Sequence, residues 1–219
     1  MKPKKKQFLV IGLGRFGASL AKTLCELGHE VLAIDDDEDA VEALSPYVTQ
    51  AVQANAADDG VLESLDAGSY DAAIISIGTD VRASILTSVL CKEAGIPLVL
   101  AKAMDDLHAK VLSKVGVDRV IFPERDMGAR VARSLVSPKM LDLMTLNGDS
   151  GVAEIVLPES WSGRTLEDIN VRRNYRVTIL AVRRGGEMIT ALSADYRLQS
   201  GDTLLVLGEQ DDIDGLEGL

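Results

Sequence analysis

The sequence is poor in aromatic, cysteine and histidine residues. Its 219 residues include one tryptophan, three phenylalanines and four tyrosines, although 47% of the chain is hydrophobic. The core must therefore be mainly aliphatic, which is typical of buried parallel sheets. Cys25 and Cys91 fall in predicted helices without metal-ligand spacing, so no disulfide framework is indicated and we expect reduced thiols. His29 and His108 have no partners at ligand spacing, and we expect both on the surface.

Long apolar runs and an excess of positive charge are also absent. No apolar stretch is long enough to span a bilayer, and the net charge of −11 argues against non-specific binding of nucleic acid. The lysine-rich start precedes a short apolar run that Gly12 and Gly14 interrupt. We therefore expect a basic tail at residues 1–6 followed by a strand, rather than a signal peptide, and a cytoplasmic protein.

The stretch from Phe8 to Asp35 carries the clearest chemical pattern. An apolar strand leads into the turn Gly12-Leu13-Gly14-Arg15-Phe16-Gly17, a helical run follows, and a second strand ends in Asp35, 18 residues after Gly17. Gly12 permits a tight turn, Gly14 lets a phosphate approach the backbone, and Gly17 lets the helix pack closely on the strand. The helix N-terminus attracts an anion, and the Asp35 carboxylate accepts ribose hydroxyls. The stretch therefore predicts a site for an adenosine-type nucleotide.

Strands and helices then alternate up to about residue 136. Further strands are predicted at Thr49–Gln53, Ala72–Ile77, Leu98–Ala101 and Arg119–Phe122. The intervening helices are predicted at Glu38–Leu44, Asp58–Leu65, Val81–Ala94, Asp105–Val115 and Glu124–Val136. Six strands alternating with six helices predict an α/β fold, a Rossmann-like doubly wound parallel sheet with strand order 3-2-1-4-5-6. Its ligand would lie at the carboxyl ends of strands one and four, near the loop that contains Asn55 and Ala56.

The alternation stops at Ser137-Pro138, and the rest of the chain has a different pattern. Strands are predicted at Val152–Leu157, Val177–Arg183, Glu187–Thr190 and Thr203–Leu207, with a capped helix start at Thr165–Asp168. We therefore predict a first domain at 7–137 that ends in a crossover helix, a linker at 138–150, and a second, smaller α+β domain at 151–219. Trp161 and Tyr175 are expected to be packing residues in the second domain.

Several motifs in this order resemble the RCK (KTN) family of regulators of potassium transport, and within it the soluble gating subunits of bacterial Ktr potassium uptake systems. They are the start KxFxVIGLGRFG, the turn Ala54-Asn55-Ala56, the exit Ile77-Gly78, and the run Ala101-Lys102-Ala103. The stretch from Gly116 to Glu124 and the motif Gly201-Asp202-Thr203-Leu204 complete the set, so that the resemblance covers nearly the whole chain.

The resemblance implies a regulatory subunit without enzymatic activity. Proteins of this family form dimers that assemble into a cytoplasmic octameric ring, and the ring docks on a separate membrane subunit that translocates potassium. The resemblance implies ATP or ADP as the ligand, with NAD(H) as the alternative that relatives use. It also implies Mg²⁺ or Ca²⁺ at the dimer interface and cyclic di-AMP in the C-terminal domain.

The resemblance also implies roles for individual residues. The turn Gly12–Gly17, with Leu13 and Phe16, frames the phosphates; Arg15 faces them, and Lys102 adds positive charge beside them. Asp35 binds the ribose, and the adenine and its sugar are surrounded by Asp36, Asn55, Ala56, Ile77, Gly78 and Thr79. Glu124 matches a family position that meets a divalent cation. The family's usual glycine after the Arg-x-x-Tyr stretch is Arg176 in this sequence, which departs from the pattern in the C-terminal domain.

Two other functions remain open at this point. A small NAD-dependent oxidoreductase would need an acid–base group near the nicotinamide, but the sequence has no Tyr-x-x-x-Lys pair, and its C-terminal part has neither histidine nor cysteine. An RCK regulator of a potassium efflux channel that uses NAD(H) would share the same nucleotide-binding motifs.

Overall fold

The computed structural model describes residues 5–136, 140–147 and 150–219. The chain divides into two units, Met1–Arg125 and Asp126–Leu219, so that the division falls before the end of the first predicted domain. Of the basic tail predicted at 1–6, residues 1–4 lie outside the described residues, and Lys5 pairs with Glu30 at 2.8 Å. Among the helices described, none has both the length and the apolar character needed to cross a membrane.

A six-stranded parallel sheet forms the centre of the first unit. Its strands are β1 (Gln7–Ile11), β2 (Glu30–Asp35), β3 (Gln50–Gln53), β4 (Ala72–Ile75), β5 (Val99–Lys102) and β6 (Arg119–Ile121). Their order is β3-β2-β1-β4-β5-β6, as the sequence predicted. Because β1 pairs with both β2 and β4, the strand order reverses at β1, and a crevice forms there at the carboxyl ends of the strands.

The helices of this unit are α1 (Arg15–Glu26), α2 (Glu38–Leu44), α3 (Val61–Ser64), α4 (Val81–Glu93) and α5 (Asp106–Lys114), with 3₁₀ turns at Ser45–Tyr47 and Ala67–Ser69. A sixth helix, α6 (Pro123–Val136), begins in this unit and continues past Arg125 into the second. Aspartates cap three of them: Asp37, Asp80 and Asp105 accept N–H groups of α2, α4 and α5. These caps fix where each helix begins after its strand. The helix predicted from Asp58 is shorter, because Gly60 takes a left-handed conformation before α3.

His108 corrects one expectation from the sequence. The side chain is buried on α5, not on the surface, with 3% of the residue exposed, because residues 108 and 112 both lie on the inner face of the helix. The Met104 N–H donates to His108 Nδ1 at 3.3 Å. Burial lowers the pKa of His108, which favours the neutral ring in this apolar setting.

A five-stranded antiparallel sheet forms the second unit, which confirms the smaller α+β domain. Its strands are β7 (Met140–Asn147), β8 (Ser150–Val156), β9 (Thr178–Arg184), β10 (Glu187–Ile189) and β11 (Thr203–Glu209), in the order β10-β9-β11-β8-β7. The helices are α7 (Leu166–Ile169), α8 (Val171–Tyr175) and α9 (Gln210–Asp214), with 3₁₀ turns at Glu159–Trp161 and Gly215–Gly218.

The segment predicted as a linker at 138–150 contains β7. This strand pairs with β8, and the register shifts near both of its ends. Residues 138, 139, 148 and 149 lie outside the described residues. β7 was not predicted because its alternation of apolar and polar residues is irregular, and because its hydrogen-bond partners come from another strand.

Packing in the second unit agrees with the roles expected for its aromatic residues. Trp161 is fully buried, and its ring centroid lies 5.0 Å from that of Tyr175. The capping box at Thr165 and Asp168 is present as predicted. Arg184 donates two hydrogen bonds of 2.7 Å to the buried Asp202. Burial alone would raise the pKa of Asp202, but these bonds and the Gln199 N–H outweigh it and hold that pKa below its usual range.

Candidate nucleotide-binding site

A cavity of about 560 Å³ lies at the crevice where the strand order reverses. Its walls come from the loops that follow β1 to β4, together with the end of β5 and the start of α6. Apart from Gly17, every residue that the sequence analysis assigned to the site lines this cavity: Gly12, Leu13, Gly14, Arg15, Phe16, Asp35, Asp36, Asn55, Ala56, Ile77, Gly78, Thr79, Lys102 and Glu124. The fold therefore brings six separated sequence segments to one place.

The glycine turn is shaped by two close approaches of backbone atoms. Gly12 has a φ of +91°, and a Cβ there would lie 2.8 Å from the carbonyl carbon of Ser76. A Cβ on Gly17 would lie 1.9 Å from the carbonyl oxygen of Gly12. Gly17 does not line the cavity, but its missing side chain lets α1 begin directly against the end of β1. This is the packing role expected from the sequence.

The N-terminus of α1 is open on the cavity side. Gly14 is the N-cap residue and has no side chain that could accept a hydrogen bond from the first turn. Gly14, Arg15 and Phe16 all line the cavity, and Arg15 is exposed. The first N–H groups of a helix carry a partial positive charge that attracts phosphate oxygens.

Asp35 is tied to the glycine turn by its side chain. The Leu13 N–H donates to Asp35 Oδ2, and the Asp37 N–H donates to Oδ1 at 3.0 Å. These bonds hold the carboxylate at the end of β2, where it lines the cavity. Each oxygen has a second lone pair, so the carboxylate can still accept hydroxyl groups from a ribose.

Two more carboxylates follow Asp35 directly in the chain. The pKa of Asp36 is raised above its usual range, because this side chain hydrogen-bonds to Asp35, is partly buried and lies near the negative charge of Asp35. Asp37 caps α2 and also lines the cavity. Three acids in a row would repel a phosphate at this end of the cavity, whereas the open start of α1 would attract one.

The remaining polar lining comes from the loops after β3 and β4. Asn55 donates to Asp58 at 2.9 Å and accepts the Ala57 N–H at 3.0 Å, so its amide shapes its own loop. Ala56 is buried, and Ile77, Gly78 and Thr79 form the exit from β4. These residues offer an apolar surface and backbone groups, which suits a flat base.

Lys102 and Glu124 form an ion pair at the side of the cavity. The Lys102 ammonium donates to Glu124 Oε1, and this bond lowers the pKa of Glu124. Within the described residues, no group of three or more histidine, cysteine, aspartate or glutamate side chains could hold a metal ion. The metal role expected for Glu124 would therefore require further ligands from a bound nucleotide or from a second copy of the chain.

The cavity also contains residues that the sequence analysis did not assign to the site. They are Ile11, Ile34, Asp37, Ala40, Ala54, Ser76, Asp80 and Ala83. Asp37 and Asp80 could have been found from sequence, because each is an N-cap candidate between a strand end and a predicted helix. With them, five carboxylates and two cations line the cavity.

Each of the two units matches a known domain family. The TrkA-N domain matches residues 8–123, and the TrkA-C domain matches residues 152–219. The chain belongs to the TrkA/Ktr family of RCK-domain potassium uptake proteins. The match of TrkA-N covers the Rossmann-like sheet except for its first residue, Gln7, and the cavity lining except for its last residue, Glu124.

Relatives in this family resemble the chain along nearly its full length. Ktr system potassium uptake protein C of Bacillus subtilis is 41% identical over 213 residues, which is 97% of this chain and 96% of that protein. Ktr system potassium uptake protein A of Vibrio alginolyticus is 41% identical over 211 residues, with 96% of each chain covered. These relatives are named as potassium uptake proteins, so the family is not one of enzymes, and the oxidoreductase alternative is set aside.

Solved structures share the fold at low sequence identity. The GsuK RCK domain has a TM-score of 0.67 and 18% identity, over 99% of this chain and 48% of that longer chain. The GsuK channel has also been solved bound to NAD (TM-score 0.52, 18% identity, 99% of this chain and 38% of that chain). A further GsuK structure contains ADP (TM-score 0.53, 16% identity, 64% and 37%).

The close contact at Gly17 predicts that two alanine substitutions in the glycine turn have very different effects on the free energy of unfolding. Gly17→Ala should lower the free energy of unfolding by about 3 kcal/mol, because the new Cβ meets a backbone oxygen that cannot turn away. Gly14→Ala should change it by less than about 0.5 kcal/mol, because nothing lies within 4 Å of that Cβ. Urea unfolding of the two variants measures this, and equal losses would contradict the geometry.

Proposed function

We propose that the chain is the nucleotide-sensing regulatory subunit of a potassium uptake system, and that it gates a membrane potassium-translocating subunit. The observation that carries the proposal is the cavity at the strand-order reversal, where the glycine turn is bonded to Asp35. Full-length similarity to Ktr potassium uptake proteins supports the transport role. On this proposal the chain is cytoplasmic and lies at the inner face of the membrane through its partner.

ATP and ADP are the ligands that we propose. The acids from Asp35 to Asp37 suit a ribose with free hydroxyls, and the open start of α1 suits a diphosphate. The ADP complex of GsuK supports an adenine nucleotide in this fold, and its NAD complex keeps NAD(H) as the alternative.

Replacing Asp35 by alanine tests the ligand assignment. The substitution removes a charged acceptor from two ribose hydroxyls, so ADP affinity should fall by about 2–3 kcal/mol. Because Asp35 also supports the glycine turn, each protein should be titrated calorimetrically with both ADP and 2′,3′-dideoxy-ADP. The wild type should prefer ADP, whereas Asp35→Ala should bind both ligands alike. An unchanged preference would place the ribose elsewhere.

We also propose that the chain works as dimers assembled into an octameric ring. Met127, Val131 and Leu135 follow one another at intervals of four residues on α6, with 55%, 49% and 75% of each residue exposed. Such a stripe on an amphipathic helix is a surface that a second copy can cover. The GsuK structures are only 16–18% identical to this chain, so they support its fold and not its oligomeric state.

A switch needs a group that distinguishes ATP from ADP. The glycine turn and Asp35 would bind ATP and ADP alike, so these contacts cannot make one nucleotide favour a different conformation from the other. A ligand shifts a conformational equilibrium only if it binds one conformation more tightly than the other. Arg15 is exposed at the open start of α1, and its guanidinium is suited to the oxygens of a third phosphate. We propose that it reaches this phosphate across a dimer interface, where Mg²⁺ or Ca²⁺ near Glu124 relieves the repulsion. A tenfold preference equals about 1.4 kcal/mol, so roughly four sites supply the 5.5 kcal/mol that inverts a two-state equilibrium.

Substituting Arg15 by alanine should separate the two nucleotides. The variant should bind ADP as the wild type does but lose ATP-specific activation of potassium flux in vesicles that contain the membrane subunit. Arg82→Ala, which removes another exposed arginine outside the cavity lining, is the matched control.

Small-angle scattering of the wild type should show an assembly of about eight chains whose profile differs between ATP and ADP. A monomer, or identical profiles, would remove the ring mechanism.

The second unit is the proposed site for cyclic di-AMP, but the structure changes which residues could serve. Asn174 donates to the Ile169 carbonyl at 2.7 Å, and Tyr175 packs on Trp161, so both are used within the fold. Arg173 is exposed on α8. Arg176 has a φ of +56°, which is the left-handed conformation that favours glycine, and this explains why glycine suits that position in the family.

Calorimetry of the full chain with cyclic di-AMP tests this second ligand. Binding should weaken about tenfold in Arg173→Ala, because an exposed guanidinium beside a cyclic phosphate is lost. Arg183→Ala is the control, because Arg183 instead pairs with Glu154 at 3.1 Å. The absence of binding up to about 1 mM would remove the ligand from the proposal.

Regulation of a potassium channel by NAD(H) is the second candidate function. The observation in its favour is the shared fold with the NAD-bound GsuK channel. The uptake proteins, however, are matched over 96% of their length at 41% identity, whereas the GsuK match is 18% identical and covers 48% of a longer chain. Uptake regulation is therefore the better supported function.

A further inference from the structure

Lys102 is the more buried of the two cations that line the cavity among the described residues. Only 13% of its side chain is exposed, whereas Arg15 is exposed at the cavity mouth. Its ammonium bonds to Glu124 and lies 3.5 Å from the position that a Cβ on Gly78 would occupy. The positive charge is therefore held beside the exit of β4, within the cavity wall.

The two partners of this ion pair lie in very different surroundings. The Glu124 side chain is 69% exposed and belongs to the first turn of α6. Water can solvate this carboxylate if the pair breaks, and exposed pairs contribute little stability. A mostly buried ammonium without a partner is unfavourable in free energy, because the buried charge is neither solvated nor paired. Lys102 therefore needs a replacement anion before it can leave Glu124.

We propose that Lys102 is shared between Glu124 and the ligand, and that a phosphate group of the bound nucleotide takes Lys102 from Glu124. This inference rests on the proposed function, because it assumes a phosphate-bearing ligand in the cavity. A phosphate offers more negative charge and more acceptor oxygens than one carboxylate, so the exchange favours the ligand. Binding then releases the first turn of α6.

The released turn lies where the chain leaves the first unit. Glu124 is two residues before Asp126, at which the second unit begins. The same turn has another attachment, because Arg125 Nη1 bonds to Asp106 Oδ1 at 3.0 Å and its guanidinium lies 3.5 Å over the Phe122 ring. Neither Arg125 nor Asp106 lines the cavity, so this second attachment does not compete with the ligand.

A double-mutant cycle with ADP, in buffer that contains EDTA, tests the exchange. Glu124→Gln removes the competing carboxylate and should tighten ADP binding about two- to fivefold. Lys102→Gln should weaken ADP binding at least about tenfold and leave adenosine binding unchanged, because adenosine has no phosphate. In the Lys102→Gln background, Glu124→Gln should no longer tighten binding.

Two controls separate the exchange from simple repulsion of the ligand. Asp80→Asn also removes a negative charge from the cavity lining. Among the described hydrogen bonds and ion pairs, Asp80 accepts the Ala83 N–H and does not contact Lys102. Any gain in ADP affinity from this substitution should therefore persist in the Lys102→Gln background. Asp106→Asn breaks the other attachment of α6 and should leave ADP affinity unchanged. If the gain from Glu124→Gln also persists without Lys102, repulsion explains it and the exchange is wrong.

Amide hydrogen exchange gives an independent measurement. ADP should speed exchange in residues 122–132 of the wild type about threefold or more, whereas Glu124→Gln should exchange fast there without ADP and change little with it. Unchanged or slower exchange in the wild type would overturn the release of α6. Weaker ADP binding by Glu124→Gln in EDTA would show that Glu124 contacts the ligand, and would overturn the exchange alone. A wild type that does not bind ADP would remove the proposed function as well.

Discussion

The close approach between Gly17 and the Gly12 carbonyl is the constraint on which the proposed nucleotide site depends. A methyl group at Gly17 would lie 1.9 Å from that oxygen, so α1 can begin against β1 only if residue 17 has no side chain. This placement brings the open helix start into the cavity and directs the Leu13 N–H to Asp35. The proposed phosphate end, at the start of α1, and the proposed ribose end, at Asp35, are consequently linked through the glycine turn, and a shift of α1 would disturb both.

Net charge alone would not make this cavity attract a phosphate, because its lining contains five carboxylates and two cations. On our proposal, attraction for the phosphates would come from the helix N-terminus and from Lys102, with Arg15 placed for a third phosphate, while the acids from Asp35 to Asp37 would disfavour a phosphate at their end of the cavity. The charges are thus separated along the cavity rather than balanced overall. A ligand with a neutral sugar at one end and phosphates at the other fits such a separation, and in our proposal Lys102 is the point where ligand charge acts on α6.

The second unit uses its polar side chains mainly to hold itself together. Asp202 is satisfied by Arg184 and by the Gln199 N–H, and Asn174 closes the end of α7 by bonding to Ile169. At Arg176 the backbone keeps a left-handed conformation without a glycine, at a cost of about 1 kcal/mol. Side chains committed in this way are poor candidates for ligand contacts, and on α8 the exposed Arg173 is the better candidate, because Arg172 donates to Thr178 at 3.3 Å.

The sequence by itself determined the strand order, the glycine turn, the acid at the end of β2 and the change of pattern after residue 136. These features follow from local rules, because periodicity, glycine spacing and helix caps act over a few residues. Only the tertiary structure decided that His108 is buried, that β7 is a strand, and that Lys102 is paired with Glu124. Each of these depends on segments distant in sequence, whose packing and hydrogen bonding no local pattern encodes.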